Sequence, residues 1–126
     1  MKLILGVVAL FVLQGSCIND ECKNNDAYKI TEAHLRNLAD KYKRDLVLGG
    51  DILYSILYLE DISKIASRVA YGDVTVYLNH KDFKEDLKAW RKWLARHKCT
   101  LNMDQVSKTR QNLIQSKAWL GVKDHP

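Results

Sequence analysis

Between residues 30 and 120 apolar side chains recur at the three- and four-residue spacing of amphipathic helices, and the breaks in that spacing predict four helices. Thr31 reads as the N-cap of the first, with Glu32 in the favourable first turn and Leu35, Leu38, Ala39, Tyr42 and Leu46 along one stripe. Gly49 and Gly50 stop it, because glycine adopts backbone angles other residues avoid, and Asp51 is the expected cap of the next helix. That second helix, Ile52 to about Ala70, places Ile52, Ile56, Leu59, Ala66 and Val69 on one face, while Leu53, Tyr54, Leu57, Tyr58 and Ile65 spread round the cylinder. Only Glu60, Asp61, Lys64 and Arg68 mark a wet strip. A helix apolar over most of its circumference belongs in the middle of a fold. The expectation is therefore an all-α fold, a small bundle of about four helices around a central apolar helix.

Residues 71–79 read two ways. Gly72 and Asp73 resemble a stop and a fresh cap, whereas Val74, Thr75, Val76 and Tyr77 favour a strand. A lone strand has no partner, so a short helix or an extended connector is expected. Asp82 then caps a third helix running to about His97, with Phe83, Leu87, Trp90 and Leu94 on one face. A fourth begins near Asn102, uses Val106, Leu113 and Ile114, and ends at Trp119, Leu120 and Gly121.

The first residues change the picture of where this bundle works. Met1 and Lys2 make a short positive start, Leu3 to Leu13 an apolar run too short to span a bilayer, and Gly15 and Ser16 a small-residue exit. This is the layout of a signal peptide, with cleavage after Cys17 preferred to cleavage after Gly15. The expected domains are a signal peptide over 1–17 and a single helical domain over 18–126, about 109 residues, secreted to the extracellular space. Downstream the most apolar stretch, Ile52 to Leu59, is broken by Glu60 and Asp61, so no transmembrane span is expected. Once the signal is subtracted, Cys22 and Cys99 remain as an even pair and are expected to form a disulfide, with two free thiols as the competing reading.

Candidate chemistry is sparse. His34, His80, His97 and His125 fall in different elements without metal spacing, so neither a metal site nor a cofactor is expected. No nucleophile elbow, phosphate loop or free Cys/His pair occurs, which argues against an enzyme. Glu60/Asp61 and Glu85/Asp86 are adjacent carboxylates that diverge by about 100° on a helix, and they read as solvated or capping charges.

Charge is the more informative signal. Residues 18–80 hold 8 basic and 10 acidic side chains, a net of −2, whereas residues 81–126 hold 11 and 5, a net of +6. Within the second half, Lys84, Lys88, Arg91, Lys92 and Arg96 lie opposite the apolar stripe of the third helix, with Trp93 at its edge. Such a face suits an acidic protein, an anionic membrane surface or a sulfated glycan, and it is equally the ordinary solvated outside of a packed helix. A nucleic-acid partner is not expected, because no recognition motif or aromatic-rich sheet is present. The tyrosines and tryptophans read mainly as core, with an extracellular carrier of a small hydrophobic ligand as the alternative function.

Two segments carry a family resemblance. Residues 30–62, ITEAHLRNLADKYKRDLVLGGDILYSILYLEDI, resemble the paired helices joined by a Gly-Gly-Asp turn in the helical N-terminal part of the GAIN domain of adhesion G-protein-coupled receptors, the latrophilin type in particular. Residues 103–119, MDQVSKTRQNLIQSKAW, are similar to that subdomain's last helix. In the family a β-rich half bearing the autoproteolysis site follows. No such half follows here before Pro126, so the resemblance implies neither self-cleavage nor receptor signalling. It implies a freestanding extracellular recognition piece, such as a secreted mimic or a venom component. The leading expectation is thus a secreted, basic, non-enzymatic helical binding protein, toxin- or effector-like, acting on an extracellular protein or acidic surface.

Overall fold

The computed structural model describes residues 22–120, and the expected signal peptide over 1–17 lies outside them. Four α-helices follow in order: α1 (Asp26–Lys41), α2 (Gly50–Ser63), α3 (His80–Arg96) and α4 (Met103–Ser116). Short 3-10 turns at Cys22–Asn24 and Ala118–Leu120 flank them. Among the described residues there is no β-strand, and the only extended pairing recorded is an isolated antiparallel bridge between Ala70 and Val76. The all-α bundle expected from the apolar spacing is the fold.

α2 lies at its centre. It buries Leu53, Ser55, Ile56, Tyr58, Leu59, Ile62 and Ser63, and it packs against α1, α3, α4 and the C-terminal turn. Ala27, Leu35 and Leu38 cover it from α1, Leu87, Trp90 and Leu94 belong to α3, and Val106 and Leu113 to α4, all within one apolar cluster. Leu48, Val69, Tyr77 and Leu101 add to the cluster from the connections. Each such side chain contributes about 1.5–3 kcal/mol on burial.

The ends of α1 and α3 meet at one joint. Asn25 Oδ1 accepts from the Ala27 and Tyr28 N–H groups at 3.0 and 3.5 Å, which caps α1. Its Nδ2 donates to the carbonyls of Leu101 (2.7 Å) and Lys98 (3.2 Å), beyond the end of α3 where helix carbonyls lack intrahelical partners. Beside it the Cys22–Cys99 disulfide closes a separation of 77 residues. A loop of that length removes roughly 4 kcal/mol of chain entropy from the unfolded state. The pairing expected from cysteine parity is present.

Several boundaries differ from those expected, each for a local reason. α1 begins five residues before Thr31, whose hydroxyl is fully buried, donates to the Ala27 carbonyl at 2.9 Å and meets the Tyr58 hydroxyl at 3.0 Å. It ends at Lys41, because Tyr42 leaves the helix to stack on Phe83 with ring centroids 3.7 Å apart. Asp51 falls inside the first turn of α2 rather than capping it, Gly49 standing at the cap and Gly50 at φ +52°. α2 stops at Ser63 instead of near Ala70: the Ser63 hydroxyl accepts the Ile65 N–H at 3.1 Å, and Lys64 turns left-handed at φ 60°. Asn79, not Asp82, caps α3 by accepting the Asp82 N–H at 2.8 Å. Asn102 caps α4 in a reciprocal box with Gln105, as expected near that residue.

Residues 64–79 form an extended connector, one of the two options for 71–79, while 64–70 were expected in the second helix. Two carboxylates hold it. Glu60 accepts from the Ser67 hydroxyl and from the Tyr71 hydroxyl (2.8 Å), and Asp86 accepts from the Arg68 N–H and the Tyr77 hydroxyl, both at 2.8 Å. Asp61, pointing the other way, accepts from Thr109 (2.7 Å) and Asn112 (3.2 Å) on α4. The adjacent acids therefore diverge as helix geometry demands, but Asp86 is buried and Glu60 and Asp61 are structural anchors, which corrects their reading as solvated charges.

Replacing Asn25 separates its two jobs. Asn25→Asp keeps the capping oxygen and loses both donors, so it should destabilise the protein at least as much as Asn25→Ala, by about 1–3 kcal/mol in urea unfolding. An Asp variant as stable as the parent would show that the contacts to Lys98 and Leu101 contribute nothing.

Candidate functional site

α3 carries two opposed faces. Phe83, Leu87, Trp90 and Leu94 point into the core and are all less than a tenth exposed. At 100° per residue, Lys84, Lys88, Arg91, Lys92 and Arg96 fall within roughly 140° of arc on the other side, along about 18 Å of helix. All five are exposed, and none forms an ion pair or hydrogen bond with the described residues. The structure thus gathers the five cations expected to form one face.

The acids that flank this stripe are engaged elsewhere. Glu85 pairs with Arg68 and, at 3.8 Å, with Lys81; Arg68 also lies 3.8 Å from Asp82 and 3.9 Å from Asp86. Burial raises the Asp86 pKa, against the lowering effect of its bonds to Arg68 and Tyr77. Glu85 stands on the same arc at its N-terminal end, paired with Arg68 and Lys81, and from Lys88 onward the stripe carries one sign of charge. Trp93 is half-buried, stacked on His97 with centroids 4.5 Å apart, and is not presented as an anchor.

A second feature was not foreseen. Ala33, His34, Asn37, Asp51, Tyr54 and Ser55 line an open cleft of about 250 Å³ between α1 and α2. Asn37 Nδ2 donates to Ser55 Oγ at 2.9 Å and to the Asp51 carbonyl at 3.3 Å. The Ser55 hydroxyl also lies 3.0 Å from His34 Nδ1, donating to it or accepting from it according to the imidazole tautomer. The imidazole stacks on Tyr58 (4.0 Å) and tilts against Tyr54, which meets Trp119 edge-on at 5.5 Å. Burial, assisted by the Arg110 charge, lowers the His34 pKa to about 4. At neutral pH the ring is uncharged.

A signal for this network was present in the pattern. His34 and Asn37 sit at i and i+3 beside the apolar stripe of α1, and Ser55 interrupts the apolar stripe Ile52, Ile56, Leu59 of α2. A small polar residue inside an apolar stripe needs a buried partner. The chemistry available to Ser55 is limited, because it is buried mid-helix, where neighbouring backbone N–H groups are committed to helix bonds and offer no oxyanion site. A histidine with pKa near 4 is also a weak base. The cleft reads as a tie between α1 and α2.

Neither a family model, nor a curated protein, nor a solved structure matches this chain. Among the described residues no helix is long and apolar enough to cross a membrane, and no group of three or more His, Cys, Asp or Glu is placed to hold a metal. The site is therefore read from its own geometry.

The His34 tie has a pH signature. The unfolded chain takes up this proton near pH 6.5 and the folded chain near 4, so between them the unfolded state binds more protons and acidification favours unfolding. Stability fully present above pH 6.5 should be lost by about 2–3 kcal/mol as pH falls to 4. Asp86 acts in the opposite direction, since its raised folded pKa favours the folded state on acidification. His34→Phe should consequently be less stable than the parent at pH 7 and lose less on going to pH 5, read as urea midpoints. Parallel pH dependence in the two proteins would refute the assignment.

Proposed function

We propose that this chain is a secreted, non-enzymatic binding protein that holds an anionic extracellular partner on the α3 face made by Lys84, Lys88, Arg91, Lys92 and Arg96. The observation that carries this reading is that none of those five exposed cations lies within ion-pair distance of an acid among the described residues. Clustered like charges repel one another, at a cost that an external anion reverses. A face of this kind also accelerates encounter with an oppositely charged partner.

Supporting observations come from elsewhere in the chain. The disulfide suits an oxidising compartment, in keeping with the signal-like residues 1–17. The likeness of residues 30–62 and 103–119 to the helical part of the GAIN domain favours extracellular recognition, and a toxin- or effector-like role is consistent with the small, cationic, disulfide-tied domain. The carrier alternative gains less, since the α1–α2 cleft is small and open rather than an enclosed apolar cavity, and His34, Asn37, Asp51 and Ser55 line it beside Ala33 and Tyr54.

Charge swaps test the face against mere net charge. Lys88→Glu, Arg91→Glu and Lys92→Glu together should weaken binding to heparin-coated or polyglutamate-coated surfaces by about a hundredfold at low salt. The matched triple Lys43→Glu, Arg44→Glu and Lys108→Glu changes net charge equally at exposed positions outside α3 and should cost about tenfold less. Equal losses in the two variants, with circular dichroism unchanged, would reject the α3 face.

A further inference from the structure

Resting on that reading, we infer that the anion held by α3 is a linear sulfated polysaccharide lying along the helix axis, rather than a bilayer or a folded acidic protein. The shape of the charge argues this first. Lys84, Lys88, Lys92 and Arg96 follow one another at successive helical turns, with Arg91 beside them, in a row that rises about 18 Å along the axis while drifting roughly 120° round it. A rigid row of single-sign charge matches a chain whose anions also recur along a line. Arg91 and Arg96 add planar, multi-donor groups suited to oxyanions such as sulfate.

The apolar side of the same helix excludes the first competitor. Helices that bind membrane surfaces bury an apolar face among the acyl chains while their cations meet the headgroups. In α3 that apolar face, Phe83, Leu87, Trp90 and Leu94, is enclosed in the protein core. None of the large exposed apolar side chains, Val47, Tyr71, Val74, Leu78, Met103, Ile114 and Leu120, belongs to α3. A bilayer would therefore meet lysine and arginine heads only, with nothing to insert.

The composition of the row argues against the second. Stable protein interfaces are built around a desolvated apolar or aromatic centre. Between these cations the exposed surface offers only Ala95, and Trp93 is turned against His97. Affinity from such a surface has to come from many similar ionic contacts, which is what a polyanion supplies.

The experiment uses the disulfide-bonded domain with size-defined heparin fragments, phosphatidylserine vesicles and single-stranded DNA of matched charge, read by titration calorimetry at several salt concentrations. Affinity for heparin fragments should rise with length until the fragment spans the row and then level off. The logarithm of Kd against the logarithm of salt should have a slope of about 4 for five contacts, falling by roughly 0.8 for each of Lys84→Gln, Lys88→Gln or Arg96→Gln. Chemically desulfated fragments should bind at least tenfold more weakly. Tighter binding to vesicles or to DNA than to heparin, or no dependence on fragment length or sulfation, overturns the inference and leaves an anion-binding face in place. Failure of every anion to bind would remove both the inference and the reading beneath it.

Discussion

A helix that is apolar on nearly every side has to be covered on nearly every side, and the placement of α2 governs the rest of this protein. Tyr58, Ile56 and Leu59 are essentially without exposure, which requires α1, α3 and α4 each to contribute a face to the same cluster. The supporting helices keep polar backs because they are needed only on one side. α3 shows this most clearly, with four buried large residues on one face and five cations on the other. Its charged face is the outer half of the same amphipathic pattern that covers α2.

Covering a helix with other helices leaves its rotation and register open, since apolar contact is non-directional. Directional bonds close that freedom. Tyr58 gives its proton to Thr31, whose own hydroxyl is committed to the Ala27 carbonyl, and Ser55 links Asn37 to His34. Both ties join α1 to α2. Asp61 joins α2 to α4 through Thr109 and Asn112, and Asp86 joins α3 to the connector through Arg68 and Tyr77. Each buried polar group in these ties has a partner, and loss of one member leaves the other unsatisfied at a cost of about 1–3 kcal/mol.

How much of this was legible follows from which physics is local. The helices, the central role of α2 and the cysteine pairing rest on spacing and parity, and they could be read from residues such as Leu35, Leu38, Ile56 and Leu59 and from Cys22 with Cys99. Helix ends were less legible because long-range contacts override local signals. Thr31 is a good cap by propensity, but Asn25 takes that role while also reaching Leu101, 76 residues away. Tyr42 continues the apolar spacing of α1, yet its stacking on Phe83 draws it out of the helix. The basic face was legible because exposure follows from amphipathic period. The His34 cleft left only the hint of Ser55 inside an apolar stripe, since its assembly depends on which faces of α1 and α2 meet.

The charge asymmetry of the chain acquires a structural cause in this arrangement. Four of the acids of α2 and α3, Glu60, Asp61, Glu85 and Asp86, are engaged with the connector, with α4 or with Arg68 and Lys81. Glu85 and Asp86, with Asp82, are the anions nearest in sequence to the start of the cationic row, and the fold employs all three around Arg68 to hold the connector against α3. A helix stabilised mainly by its own surface ion pairs would instead alternate signs at i and i+4. α3 makes one such pair, Lys81 with Glu85, at its start, and from Lys88 onward the exposed charges are all positive. The core, through Phe83, Leu87, Trp90 and Leu94, holds the helix in place without surface pairs, which frees the outer face to carry unbalanced charge. Stability supplied on one side of α3 thereby leaves the charge on its other side unneeded by the fold.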